Sequence, residues 1–309
     1  MDLHRTSGRT GLGFALAAIT MSLWAVLPFA LQRVLTALDA FTITWARFVA
    51  SALVLGSVLA ARRDLPPLRG LGAGRAALLA VATLFLAANY AAFLFGLHWT
   101  SAADAQVLIQ LGPILLSLGG IAVFREQFAR LQWIGLAVLI AGVAVFVAAR
   151  LGGGPVAARD LAPGMAMIAF AAATWAIYGL TQKQLLHSFR SIHVLLFVYA
   201  GCAIAFTPLA SPASLAQLDP ARAALLAFCA LNTVVGYGAF AESLAHWEAS
   251  RVGAVLALTP LGTLACATAL DAIAPAWATA PHLSPGGWIG ALLVVSGSLA
   301  ASLGAERPS

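Results

Sequence analysis

The chain has 309 residues, of which 61% are hydrophobic and only 9% charged, and its formal net charge is +6. Soluble globular domains carry about a quarter of charged residues, so this composition excludes an ordinary soluble protein and predicts a polytopic membrane protein. The basic residues are scattered between apolar runs, which is typical of membrane orientation signals rather than of nucleic-acid binding.

Ten apolar segments are long enough to cross a bilayer as helices, since about 20 residues span the hydrocarbon core. Helices are expected because lipid offers no partners for backbone N–H and C=O groups. The predicted fold class is therefore an all-α membrane protein with ten transmembrane helices. In chain order the predicted spans are residues 12–32, 40–60, 75–97, 102–123, 131–149, 163–183, 191–210, 222–244, 250–270 and 285–303.

Landmarks of the first half return in the second half at separations of 147 to 155 residues. Such a nearly constant separation, close to half the chain, indicates an internal duplication with one insertion after the proline. We predict a first five-helix repeat at residues 1–150, a linker at 151–162 and a second repeat at 163–309. Because five is odd, the second repeat crosses the membrane in the inverted orientation. The matched pairs are His98 and His246, Pro113 and Pro260, Trp133 and Trp288, and Gly142 and Gly297.

Lys and Arg divide unequally between the two sides of this topology. Twelve of them fall on the side of the N-terminus and four on the other. Cytoplasmic loops carry the excess of basic residues, so both termini are predicted to be cytoplasmic.

Several short motifs resemble the EamA-type repeat of the drug/metabolite transporter superfamily. They are Gly96-Leu-His-Trp-Thr-Ser-Ala-Ala-Asp-Ala105, Gly112-Pro113, Phe124-Arg-Glu126 and Trp133-Ile-Gly135. The resemblance covers nearly the whole chain, and within the superfamily it is strongest to the bacterial aromatic amino-acid exporters. It implies a bacterial inner-membrane exporter of amino acids or related metabolites, acting as a monomer or homodimer without nucleic acid. The family often has a Glu after the fourth helix of each half; Glu126 supplies the first, but the second half has only Asp271.

Inverted repeats place the substrate near the membrane midplane between the halves, where alternating access exposes it to each side in turn. Polar and aromatic residues near the middle of spans are therefore predicted to line a substrate cavity. The alternative is that Asn and Gln join helices while Trp and Tyr fill packing space. The predicted lining residues are Trp24, Asn89, Tyr90, Gln106, Gln110, Trp175, Tyr178, Tyr199, Asn232 and Tyr237.

Prolines within the spans are candidate hinges, because each removes an intrahelical hydrogen bond. Pro28, Pro113 and Pro260 are assigned this gating role, with static curvature as the alternative. Glu242 and His246, one turn apart, are predicted to form either a proton relay or cytoplasmic gate, or an interfacial ion pair.

Two further groups of residues carry expectations. Arg47 is expected to reach lipid headgroups, with a substrate carboxylate as the other possible partner, and Asp104 and His98 are expected to be solvated at the outer interface. Glycines recur every seven residues in the fifth and tenth spans, a spacing that allows close helix packing within one chain or in a dimer.

Other functions find less support in the sequence. Proton-coupled efflux of cationic drugs is the alternative within transport, but no carboxylate occupies the middle of a span. An intramembrane enzyme or a scaffold is the alternative outside transport. The chain has no P-loop, G-x-S-x-G or H-E-x-x-H motif, and its three cysteines lack metal-ligand spacing. We predict no catalytic residue, metal or cofactor.

We expect a reporter fused to the C-terminus to lie in the cytoplasm, because the basic residues are concentrated on that side. A C-terminal green fluorescent protein should fluoresce, and a C-terminal alkaline phosphatase should be inactive. Phosphatase fused after Ala37, in the first outer connection, is the control and should be active. An active phosphatase at the C-terminus would contradict the topology.

Overall fold

A computed structural model describes residues 9–66, 72–124, 129–152, 155–185, 188–246, 252, 255–256, 258–273 and 283–303. Within these residues the chain forms α-helices and short connections with no β-strand, which confirms the predicted all-α class. In chain order the helices are α1 (Thr10–Val34), α2 (Ala40–Ala61), α3 (Ala73–Trp99), α4 (Ala102–Leu108), α5 (Leu111–Phe124), α6 (Arg130–Leu151), α7 (Pro155–Leu185), α8 (Ser191–Phe206), α9 (Pro220–His246), α10 (Thr259–Ile273) and α11 (Pro285–Leu303), with a 3-10 turn at Pro212–Gln217.

Six described helices are long and apolar enough to cross a membrane, and three shorter ones are apolar. The long ones are α1, α2, α3, α6, and the segments Leu161–Gln182 of α7 and Pro220–Phe240 of α9. Residues 250–270 lie partly outside the described residues, so the count of ten spans remains a prediction. Helix α7 begins at Pro155, earlier than the predicted span, because proline suits the first turn of a helix.

Large apolar side chains point outward from these helices. Leu53 on α2, Leu84 on α3 and Ile204 on α8 have 67%, 64% and 74% of their surface exposed. Exposed side chains of this kind on the flanks of apolar helices fit a lipid solvent rather than water.

The principal helix contacts join the first half of the chain to the second. Helix α3 packs on α7, α9 on α1, α2 on α8, and α6 on α11. One asparagine ties each of the first two pairs: Asn89 Nδ2 of α3 donates to the Ala171 carbonyl of α7 at 2.7 Å. Asn232 Nδ2 of α9 donates to the Leu23 carbonyl of α1 at 2.8 Å. The third helix of each half is therefore tied to the first helix of the other half.

The recurrent glycines lie between α6 and α11 of the same chain. A Cβ on Gly135 would lie 2.7 Å from the Gly297 carbonyl oxygen, and a Cβ on Gly297 would lie 2.7 Å from the Gly135 oxygen. At Gly142 a Cβ would lie 2.6 Å from Val294 N, and at Gly290 it would lie 2.5 Å from Phe146 N. The glycine faces are therefore used for packing within the chain.

Pro28 interrupts the hydrogen bonds of α1, and a neighbouring helix repairs the break. Because Pro28 has no N–H, the carbonyl of Trp24 lacks its usual donor four residues ahead. The side-chain amide of Gln106, on α4, donates to this carbonyl at 2.7 Å. Pro28 and Gln106 are both buried, so the bond closes a gap that lipid could not close.

The other two prolines lie in the first turns of new helices, not in the middle of bent ones. The predicted span 102–123 is divided at Ile109–Gln110 into α4 and α5, and Pro113 is the third residue of α5. Pro260 is the second residue of α10. The proline ring clashes with the carbonyl four residues earlier, so each helix starts afresh.

Local donors satisfy the carbonyls that these two prolines leave free. The Ile109 carbonyl accepts from Gly112 N at 2.9 Å, and the Leu256 carbonyl accepts from the Thr259 hydroxyl at 2.6 Å. The carbonyl four residues before each of these three prolines thus accepts a hydrogen bond from another donor, as an apolar environment requires.

Replacing Gly135 by Ala should destabilise the protein by about 1–3 kcal/mol, because the new methyl group meets backbone atoms that cannot rotate away. The apparent melting temperature in detergent measures the loss. Gly238→Ala on α9 is the matched control, since a Cβ there meets nothing within 4 Å. Equal melting temperatures for the two variants would show that α6 and α11 are not in close contact.

Gln106→Leu should cost about 1–3 kcal/mol of stability, because it leaves the buried Trp24 carbonyl without a donor. The cost should fall in a Pro28→Ala background, where the restored N–H at position 28 takes that carbonyl. Reversible unfolding in mixed micelles gives the coupling between the two changes. An identical cost in both backgrounds would contradict the role assigned to Gln106.

Candidate functional site

Five aromatic side chains, which we call the aromatic cluster, meet where α1, α2, α3, α8 and α9 come together. The Trp24 and Tyr237 ring centroids are 5.3 Å apart, those of Tyr237 and Tyr90 6.4 Å, those of Tyr90 and Phe48 4.6 Å, and those of Phe48 and Tyr199 5.9 Å. Four of these residues were predicted as cavity lining, and the structure brings them together. Phe48 was missed, because a phenylalanine in an apolar span carries no signal of its own.

Arg47 lies buried at the aromatic cluster, with only 3% of its surface exposed. Its guanidinium carbon is 4.7 Å from the centroid of the Tyr90 ring, and its Nε donates to the Thr233 hydroxyl at 3.1 Å. The expectation that Arg47 reaches lipid headgroups is therefore wrong. It lies on the face of α2 that packs against the other helices, so its side chain does not extend to the membrane surface.

Thr233 of α9 connects the arginine to the rest of the cluster. Its hydroxyl donates to the Cys229 carbonyl at 3.0 Å and accepts from Arg47. Its own carbonyl accepts from the Tyr199 hydroxyl at 3.2 Å. This arrangement fixes the Nε edge of Arg47, and no described residue accepts a hydrogen bond from Nη1 or Nη2.

The predicted amide residues divide into two groups. Asn89, Gln106 and Asn232 are buried and donate to backbone carbonyls of other helices. These contacts match the alternative interpretation, in which amides join helices. Gln110 is also buried, but its Nε2 has no hydrogen-bond partner among the described residues, and the Oδ1 of Asn232 has none among them either.

Tyr178 and Trp175 of α7 complete the set predicted from the sequence. Tyr178 is buried in the same apolar cluster as Phe48 and Tyr90, and no described residue bonds to its hydroxyl. Trp175 packs against that cluster, and its ring lies directly against Gly112, where a Cβ would be 3.0 Å away. Buried polar atoms without partners are costly in an apolar medium, so Tyr178, Gln110 and Asn232 are candidates for contact with a ligand or water.

Glu242 and His246 are in contact at the end of α9, with 3.2 Å between Oε1 and Nε2. The Glu242 side chain is 63% exposed. This exposure favours the interfacial ion pair over a relay inside the membrane.

Asp104 is buried and paired, so the expectation that it is solvated is wrong. Only 1% of its surface is exposed, and its carboxylate lies 2.7 and 2.8 Å from Nε and Nη2 of Arg150. Asp104 also caps α4 in a reciprocal bond with Ser101. The cap and the ion pair together offset the cost of burying the carboxylate.

A second group of charges joins the end of α2 to the start of α8. Arg190 forms an ion pair with Asp64, and His193 Nε2 lies 3.3 Å from the same carboxylate. These contacts link the two halves of the chain at a helix end. Neither group places an acid at the aromatic cluster, and no three His, Cys, Asp or Glu side chains of the described residues lie together as metal ligands would.

Arg47 and Asp104 are thus the only buried Asp, Glu, Lys or Arg side chains of the described residues. Asp104 has its counterion, whereas Arg47 forms no ion pair within the described part of the chain. The charge available at the cluster is positive.

Comparison with known proteins agrees with this architecture. A profile of the EamA-like transporter family matches residues 11–148 and again 162–303. The uncharacterized inner membrane transporter YhbE of Escherichia coli K12 is 36% identical over 297 residues, covering 96% of this chain and 92% of the relative. An uncharacterized transporter of Haemophilus influenzae is 34% identical, covering 95% of each protein.

A solved crystal structure with 18% sequence identity has a similar fold. It matches with a TM-score of 0.62 over 97% of this chain and 98% of its own. The family profile accounts for nearly the whole chain, and the apolar helices agree with the membrane location given in the name of the Escherichia coli relative. The chain is a multi-pass inner-membrane protein and belongs to the EamA-like transporter family.

Proposed function

We propose that the protein exports amino acids, chiefly large, aromatic or apolar ones, or related metabolites, by alternating access. The observation that carries this proposal is the aromatic cluster itself. Aromatic faces, a buried cation and buried polar atoms without partners occur together where helices of both halves meet. This is the composition of a small-molecule site: mostly apolar walls with a few polar groups that fix orientation.

The aromatic rings suit the side chain of such a substrate. Trp24 and Tyr237 pack at a tilt, with 57° between their planes, and another large apolar group can stack or pack edge-on against such rings. The unpaired Gln110, Tyr178 and Asn232 atoms supply donors and acceptors for its polar end.

Alternating access is supported by how the halves are arranged. The family profile matches the chain twice, and the principal helix pairs each take one member from each half. Pro28 and the break between α4 and α5 interrupt helices close to the site. Two similar units that meet around a site can rock against each other and expose it to either side.

Efflux of cationic drugs is the second candidate, and the charges argue against it. A site for cations needs an acid at depth, yet the one buried carboxylate of the described residues, Asp104, is bound to Arg150. The buried Arg47 repels a cation and attracts an anion.

Export should be measured with protein reconstituted in vesicles that are loaded with radiolabelled phenylalanine, tryptophan or leucine. We expect saturable flux of at least one of them, and Trp24→Ala should lower it at least about tenfold, because the variant removes apolar contact worth more than 1.4 kcal/mol.

Trp288→Ala is the matched control, since Trp288 lies on α11 and is 41% exposed; its flux should be unchanged. Folding of each variant is checked by size-exclusion chromatography. An absence of saturable flux for every amino acid would overturn the proposed substrate class.

A further inference from the structure

We propose that the guanidinium of Arg47 binds a carboxylate of the transported substrate. This inference rests on the proposed function, in that it takes the aromatic cluster as the transport site. It adds the chemical class of the group recognised there and the residue that recognises it. It does not require the substrate to be an amino acid.

The cost of burying Arg47 is the first argument. A cation inside a membrane protein is expensive unless it is paired or hydrogen-bonded. Arg47 is 3% exposed, and the described residues give it one hydrogen bond and one aromatic face. Because the buried guanidinium has no acidic counterion among the described residues, an anionic ligand can pair with it.

The geometry identifies the edge that the anion would use. The Nε edge is held by the Thr233 hydroxyl at 3.1 Å, and Tyr90 covers one face of the guanidinium at 4.7 Å. The edge formed by Nη1 and Nη2 has no acceptor among the described residues. Two parallel N–H groups match the two oxygens of a carboxylate, so the free edge suits that group.

The cluster holds the arginine ready while the site is empty. The ring of Tyr90 attracts the guanidinium through its negative face. The Thr233 hydroxyl donates its hydrogen to the Cys229 carbonyl, so its oxygen acts only as an acceptor toward Arg47. The guanidinium is therefore oriented before a ligand arrives, which lowers the entropy cost of binding.

The position of the bond also connects binding to movement. Arg47 belongs to α2 in the first half and Thr233 to α9 in the second. A carboxylate bound by Arg47 changes the charge at a contact between the halves. A ligand shifts a conformational equilibrium only through such differential contacts, and this contact supplies one.

Ligand discrimination by the purified full-length protein tests the proposal without a variant. Binding should be measured by calorimetry for L-phenylalanine, 3-phenylpropionate, L-phenylalanine amide and phenethylamine. The first two carry a carboxylate and should bind at least about tenfold more tightly than the last two, which lack it. Inorganic phosphate should not displace them at equal concentration.

Variants locate the effect at Arg47. Arg47→Gln should weaken binding of 3-phenylpropionate at least about tenfold, and Arg47→Lys should weaken it less because it keeps the charge but loses the planar fork. Arg62→Gln is the matched control, since Arg62 is exposed just beyond the other end of the same helix. If Arg47→Gln does not fold, the binding of 3-phenylpropionate to Arg47→Lys and the comparison of the four ligands with the unmodified protein still test the proposal.

The outcomes separate this inference from the proposed function. Amino-acid flux that is unchanged in Arg47→Gln, or equal binding of the acid and the amide, would overturn the role of Arg47 and leave amino-acid export standing. Binding of 3-phenylpropionate that depends on Arg47, without flux of any amino acid, would support the carboxylate site and overturn the amino-acid substrate. Equal competition by phosphate would overturn carboxylate recognition in favour of a general anion site.

Discussion

The structure depends on one constraint: a backbone carbonyl in the membrane interior must have a donor within the protein. Pro28, Pro113 and Pro260 each remove such a donor, and another donor takes the carbonyl left free by each of them. The gap in α1 is closed from another helix, by Gln106 to the Trp24 carbonyl. The gaps before Pro113 and Pro260 are closed locally, by Gly112 and Thr259. Only the bond from Gln106 ties two helices together, so α4 holds α1 at Trp24, a residue of the aromatic cluster.

A similar constraint applies to buried charge, which needs a counterion or hydrogen bonds within the protein. Asp104 and Arg150 neutralise each other away from the aromatic cluster. Arg47 has only a hydroxyl and an aromatic ring as partners. In a chain with so few charges, the sign of one buried side chain decides which substrates are attracted. Aromatic walls alone would favour a cation over an anion, because ring faces attract cations.

Much of the architecture could be predicted from the sequence, because apolar runs, repeated landmarks and glycine spacing follow from membrane thickness and helix geometry. The sequence could not predict which residues of each helix face other helices and which face lipid. A span that is apolar all round has no polar side to orient it, so the burial of Arg47 and the contact of Phe48 with Tyr90 had no signal. The amides Asn89 and Asn232 fitted two interpretations, and only their partners in the structure show that both join helices. The break at Ile109 was expected as a bend, because spacing alone does not tell whether a helix bends or restarts.

The contact between α6 and α11 has a mechanical consequence. Gly135, Gly142, Gly290 and Gly297 bring the two backbones together over one heptad of each helix. At such a contact backbone meets backbone, so no long side chain can change its rotamer to accommodate a movement between the two helices. In the alternating access proposed above, the contact between α6 and α11 would serve as the fixed axis, so that opening at one membrane surface would accompany closure at the other.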